Sequence, residues 1–219
     1  MSRLHALRSR FVDAPGSFAA RARLRRWHWF AESFPDLSSM SVIDLGGTAA
    51  AWLRAPVKPA QVHIVNVQEP PAALPPWVKA EVADACALPA AILKHRYDLV
   101  FSNAVIEHVG GHVRRRMFAD AVHRLAERHW IQTPYRYFPV EPHFLFPAFQ
   151  HLPVAIRTAI LRRWPLLHTP TSDLTAARDI VLDVELLSIT EVKHYFPTSE
   201  IRFERLGGLV KSVIAVKRK

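Results

Sequence analysis

Short apolar runs, rich in β-branched residues, recur along the chain. They are SVIDL at 41–45, VHIVNV at 62–67, VKAEVAD at 78–84, YDLVFSN at 97–103 and HWIQTP at 129–134. Runs of this kind, bounded by polar and turn-forming residues, predict strands. The intervening stretches Thr48–Arg54, Ala87–His95 and Val113–Arg128 have helical patterning. In the last, Met117, Val122 and Leu125 are expected on an apolar face, with Arg114, Arg115, Asp120, Arg124 and Glu127 mostly opposite. Strand alternating with helix predicts an α/β fold with a parallel, doubly wound sheet. Two further strands are expected at 201–206 and 211–217, around Gly207-Gly208, as an antiparallel hairpin closing the sheet.

Residues 135–170 break the alternation with prolines and aromatics. They predict an insertion after the fifth strand, a lid or substrate wall at the carboxyl edge of the sheet. A helix is expected over Val154–Trp164, with Ile156, Ile160 and Trp164 on one side and Arg157 and Arg162 away from it. Ahead of the first strand, residues 1–38 read as a basic helical cover that packs through Trp27, Trp29 and Phe30. The whole chain, 1–219, is expected to form a single domain.

Composition narrows the possibilities. Half of the 219 residues are hydrophobic, enough for a sizeable core. Cys86 is the sole cysteine, which excludes an internal disulfide and a multi-cysteine zinc site and fits a reducing cytoplasm. No apolar run approaches the ~20 residues of a spanning helix. The amino terminus is arginine-rich and acid-poor, as transit peptides are, but lacks a secretory apolar stretch. The net charge of +10 admits nucleic acid, an anionic membrane surface or acidic substrates as partners. No aromatic platforms lie between the basic residues as RNA-binding motifs require, and the charge also suits a plain basic surface.

In open α/β sheets, ligands bind at the carboxyl ends of the strands, where strand order reverses. Asp44, Gly46 and Gly47 end the first strand, Asn66 the second (with Glu69 just beyond), Asp84 the third. Paired glycines let a ligand approach the backbone closely, or simply make a tight turn. Asn66 follows Gly46 by a spacing suited to ribose hydroxyls, and Asp84 could accept from an adenine amine. The full dinucleotide fingerprint is missing, because Gly47 is followed by Thr48 and three alanines.

Together VIDLGG, VNVQEP, ADACALP, YDLVFSNAVIEHVGG and the closing hairpin resemble the class I, Rossmann-like S-adenosylmethionine (SAM)-dependent methyltransferases of small-molecule type. The resemblance covers roughly residues 40–134 and 185–217 and implies a seven-stranded sheet whose last strand is antiparallel. It implies SAM as cofactor, with Asp44, Gly46 and Gly47 along its methionine part. Asp84 and the Ala85 amide would take its adenine, and Ser102 and Asn103 its sulfonium end. Two departures stand out. Thr48 or Ala49 replaces a further loop glycine, and Asn66 replaces the ribose-binding acid. The activity implied is methyl transfer to a small, partly apolar acceptor. An RNA methyltransferase, a nicotinamide oxidoreductase and a non-catalytic SAM-binding protein are the alternatives.

Two loops that follow the fourth and fifth strands carry Glu107-His108 and Glu141/His143. One of the histidines could take a proton from the acceptor as general base. The four residues could instead bind a divalent metal, as Glu and His do in a related family of RNA-end methyltransferases, although Ala104 stands where that family has another Glu. They could also be structural. The insertion's aromatics, Tyr135, Tyr137, Phe138, Phe144, Phe146 and Phe149, could line an acceptor pocket or form the insertion's own core. Its amphipathic helix could pack on the domain, or lie on a membrane surface and reach a lipid-like acceptor.

Overall fold

The computed structural model describes residues 17–166 and 171–219. Residues 1–16 of the arginine-rich start lie outside the described residues.

The five apolar runs form strands β1 (Ser41–Leu45), β2 (Gln61–Asn66), β3 (Val78–Val82), β4 (Leu99–Asn103) and β5 (His129–Pro134). β1, β2, β4 and β5 are buried on both faces over most of their length, which is why their sequences are near-continuous apolar runs rather than alternating ones. Helices α1 (Phe18–Ser33), α2 (Ala49–Leu53), α3 (Ala90–Leu93) and α4 (His112–Leu125) precede or connect them. The insertion contributes a two-stranded hairpin, β6 (Val140–Glu141) with β7 (Phe146–Pro147), and helix α5 (Val154–Leu161). Helices α6 (Leu174–Asp183) and α7 (Ile189–Tyr195) lead to the hairpin of β8 (Glu200–Leu206) and β9 (Leu209–Lys217).

The main sheet has seven strands in the order β3-β2-β1-β4-β5-β9-β8. β1 to β5 pair in parallel, while β9 runs antiparallel to both β5 and β8. Gly207 and Gly208 have φ of +57° and +82°, so both central turn residues take the left-handed conformation that two-residue hairpins need. Order reverses between β1 and β4, and the loops leaving these strands therefore stand side by side.

Each face of the sheet has its own core. On one, α1 lays Phe30 and Phe34 against Trp52, Phe101 and Trp130, with the Trp27 ring stacked on Phe101 at 5.2 Å. On the other, Phe118, Val122 and Leu125 of α4 and Val192 and Tyr195 of α7 cover Ile43, Leu45 and Val100. The apolar side of α4 differs from the expected one. Met117 is 42% exposed, whereas Arg115 is buried. Positions 115, 118, 122 and 125 repeat at three- and four-residue spacing and share the inward face, and 117 falls outside that row. Arg115 is tolerated there because its guanidinium meets Glu185 at 2.9 Å and Glu191 at 3.5 Å.

The insertion has a third core of Phe144, Phe149, Leu161, Ala177 and Val181. It reaches through α6, past residue 170, because α6 supplies the apolar side that closes it. Of the insertion's aromatics, Phe144, Phe146 and Phe149 serve this core, Tyr135 packs against the α4 core, and Tyr137 is exposed. The inward row of α5 is Thr158 and Leu161, with Val154 packed beside them. Ile156, Ile160 and Trp164 share one side, as expected, but Ile156 is 48% exposed there, whereas Arg157, away from them, is half-buried.

Candidate functional site

The loop after β1 is shaped by contacts that glycine alone permits. Gly46 has φ of +86°, and a Cβ there would come within 2.5 Å of the Val105 side chain. Its amide donates to Val65 O at 2.7 Å. At Gly47 a Cβ would fall 1.6 Å from Asp44 Oδ2. Thr48, where the resemblance leads one to expect glycine, is the N-cap of α2 and accepts from the Ala51 amide at 3.3 Å. That departure has a structural cause.

Asp44 turns into the sheet's α1 face. Its Oδ2 accepts from Trp52 Nε1 at 2.7 Å, while Oδ1 has no hydrogen-bond partner. Burial pushes its pKa up to about 7, opposed by the Trp52 and Gly47 donors. Asp44 thus acts on the loop from beneath. Asn66 also acts on the loop, because its Nδ2 donates to Gly46 O at 3.1 Å and Gly47 O at 2.9 Å, and its Oδ1 accepts from the Gln68 amide at 3.0 Å. A crevice beside it is lined by Gly47, Thr48, Asn66, Gln68 and Glu69, and the Glu69 carboxylate is exposed there.

Across the loop, Asp84 accepts from the Cys86 amide at 2.8 Å and pairs with Arg114 at 2.7 Å. Burial opposes its ionisation, but these donors outweigh burial and hold its pKa below the usual carboxylate value. Ala85 is buried next to it. Ser102 is buried and donates to Leu45 O at 2.8 Å, bracing β4 against the end of β1. Asn103 is exposed and accepts from Arg26 Nη1 at 3.2 Å. Ala104 follows with φ of +57°, an uncommon conformation that swings Val105 under Gly46.

The loops after β4 and β5 do converge. His108 Nε2 stands 3.2 Å from His143 Nε2, and His143 Nε2 is 4.0 Å from Glu107 Oε1. Glu107 is fully buried; its Oε2 accepts from Thr133 Oγ1 at 2.9 Å. Burial raises its pKa. Glu141 is drawn in as a partner of His143 Nδ1 at 2.7 Å, and its other oxygen accepts from the Phe144 amide at 2.8 Å. Burial disfavours the charged His143 ring, yet Glu141, Glu107 and Asp183 together raise its pKa.

Four side chains of the site lacked a sequence signal. Arg26 reaches Asn103 from α1, Trp52 holds Asp44, Thr133 holds Glu107, and Asp183 meets His108 Nδ1 at 3.1 Å. Arg26 is separated from Asn103 by 77 residues and Asp183 from His108 by 75, so no local motif could link them.

No family model matches the sequence, and no curated protein matches it. Several solved structures are similar in fold. The N-terminal domain of EvdMO1 with SAH bound is 17% identical with a TM-score of 0.52, over 89% of this chain and 79% of that one. Magnesium protoporphyrin IX methyltransferase (ChlM) of Synechocystis PCC 6803, also with bound SAH, is 13% identical with a TM-score of 0.50, over 97% and 93%. A chain from Rhodobacter sphaeroides, provisionally assigned to the Zn-dependent alcohol dehydrogenases, is 11% identical with a TM-score of 0.57, over 88% and 87%. At such identities the likeness is one of fold. The chain has the Rossmann-like fold of the class I SAM-dependent methyltransferases.

Proposed function

We propose that the protein is a SAM-dependent methyltransferase acting on a small, partly apolar acceptor. The observation that carries this reading is the strand order, with antiparallel β9 set between β5 and β8. A dinucleotide-binding sheet runs 3-2-1-4-5-6 without such a strand. The two SAH-bound neighbours support it from outside the chain.

The residues present fit the cofactor. Gly46, Gly47 and Thr48 would lie along its methionine part on a loop held by Asp44 and Asn66. Glu69, exposed on the crevice, would take the ribose hydroxyls in place of the occupied Asn66 amide. Asp84 and Ala85 would receive the adenine, and Ser102 and Asn103 would border the sulfonium end. When bound, SAM would supply an activated methyl group and leave as SAH. The protein's part would be to hold donor and acceptor in line and to exclude water. The acceptor would enter between the β4 and β5 loops, beneath the insertion, and the clustered Glu107, His108 and His143 would bind it there and assist its deprotonation. The outward apolar face of α5, with Ile156 and Ala159 and with Trp164 just beyond the helix, suits an apolar or lipid-like acceptor arriving from that side. Among the described residues no helix is long and apolar enough to cross a membrane.

Calorimetric titration of the folded protein with SAH, SAM and NADH tests the reading. One micromolar SAH site per chain is expected, followed by transfer of labelled methyl to extractable small molecules. Heat with NADH alone, or with none of the three, would overturn it. Transfer to RNA would replace the acceptor class.

A further inference from the structure

We infer that Glu107, His108 and His143 hold one divalent transition-metal ion, with Asp183 and Glu141 orienting the two imidazoles. The inference stands on the hydrogen bonding around the cluster and does not rest on the methyl-transfer reading.

The ring nitrogens can be assigned from their partners. His143 Nδ1 faces Glu141 Oε1 at 2.7 Å, and a carboxylate only accepts, so Nδ1 carries the hydrogen. The other Glu141 oxygen accepts from the Phe144 amide, which fixes the carboxylate's orientation. His108 Nδ1 faces Asp183 Oδ2 at 3.1 Å, with the same consequence. In the neutral rings both Nε2 atoms are therefore bare lone pairs, and they point at each other across 3.2 Å. The third lone-pair donor is Glu107 Oε1, buried and without a hydrogen-bond partner. Its sister oxygen is held by Thr133.

Three electron-pair donors that face one another repel unless something positive lies among them. A single proton could bridge the two nitrogens, but it would leave Oε1 unpartnered, since 4.0 Å to His143 Nε2 is beyond hydrogen-bonding reach. A buried carboxylate oxygen without a partner is costly. One cation serves all three donors. Their ligating atoms lie within 4.8 Å of one another, and this is the group of three or more such side chains found among the described residues. Around a tetrahedral ion with bonds of about 2.0 Å, donor atoms stand about 3.3 Å apart. The two nitrogens stand close to that spacing, and Glu107 Oε1, 4.0 Å from His143 Nε2, would have to draw closer on binding.

The donor types choose the ion. Two imidazoles and one carboxylate suit zinc, iron, cobalt or manganese, whereas magnesium and calcium take all-oxygen shells. Each imidazole has a carboxylate behind it, the outer shell that orients histidine ligands. Three protein ligands leave a position open, as in reactive rather than purely structural sites. The donors come from the loop after β4 and the turn of the β6–β7 hairpin, with Asp183 at the end of α6, so the ion would also tie the insertion to the sheet edge.

Metal-stripped protein titrated with zinc(II) in the calorimeter, and with cobalt(II) in the spectrophotometer, tests this. The expected result is one tight zinc site per chain and intense visible cobalt bands of a low-coordinate site. His108→Ala and His143→Ala should each weaken zinc about 100-fold, and Asp183→Asn about 10-fold. His194→Ala, outside the cluster, should change neither. His108 is the deciding position, because it is 32% exposed and its removal leaves the folded core untouched, as circular dichroism would verify. No tight site in the wild type, or one that survives both His108→Ala and His143→Ala, would overturn the inference. Zinc binding without SAH binding would defeat only the methyl-transfer reading, and the converse would defeat only this one.

Discussion

The Trp52 indole donates to Asp44 Oδ2 at 2.7 Å, tying the end of β1 to the helix that begins beyond the glycine loop. The strand, the loop and the helix thus share one buried carboxyl group. Because burial lifts the Asp44 pKa to about 7, the folded protein holds a proton there that the unfolded chain releases near pH 4. Stability from this group is full below about pH 4 and is lost as pH rises toward and through about 7. Asp44→Asn keeps an acceptor for Trp52 and cannot ionise. Urea melts should therefore show the variant losing less stability than the wild type between pH 4 and 8, by up to about 4 kcal/mol.

Gly47→Ala should collapse the loop. The new methyl would lie 1.6 Å from Asp44 Oδ2, so either the carboxyl or the loop must move. Titration with SAH should show at least about a tenfold loss of affinity, while the sheet persists by circular dichroism. The same loss is expected for Gly46→Ala, for a different reason, namely strain at φ of +86° and contact with Val105.

Asn66→Asp would install the acidic residue type that the resemblance leads one to expect, and it should weaken SAH binding nonetheless. Its carboxylate would place an acceptor against Gly46 O and Gly47 O, where Asn66 now donates. Two lost hydrogen bonds and a new repulsion should cost about 2 kcal/mol in a thermal melt. Glu69→Gln, by contrast, should lower SAH affinity about tenfold without moving the melting temperature.

Arg26 links two distant parts of the sheet. It donates to Asn103 at the end of β4 and stands 3.7 Å from the buried Glu204 carboxylate on β8. Arg26→Ala should cost about 3 kcal/mol, because it leaves a buried charge poorly compensated. Adding Glu204→Gln should restore much of the loss, which a double-mutant cycle in urea would measure.

The strands were legible because a buried parallel strand must be apolar throughout, whatever it packs against. Each predicted run became a strand within a residue or two, and Gly207-Gly208 marked the hairpin turn. The α4 face was less legible, because Arg115 is buried by Glu185 and Glu191. On α5 the shared side of Ile156, Ile160 and Trp164 was legible, but not the exposure of Ile156, which follows from α6 packing elsewhere on the helix. Helices α6 and α7 were not anticipated, since their apolar residues acquire meaning only against the insertion core and α4.

By itself the sequence determined the strand segments, the glycine loop and the candidate acids and histidines, because backbone conformation and local burial leave a mark on neighbouring residues. Only the tertiary structure decided which of those side chains meet one another. Asp44 and Asn66 hydrogen-bond to the loop and the helix beyond it, while Glu107, His108 and His143 meet from two loops. Hydrogen-bond partners far apart in the chain are chosen by how the sheet edge closes, and no spacing along the chain encodes that choice.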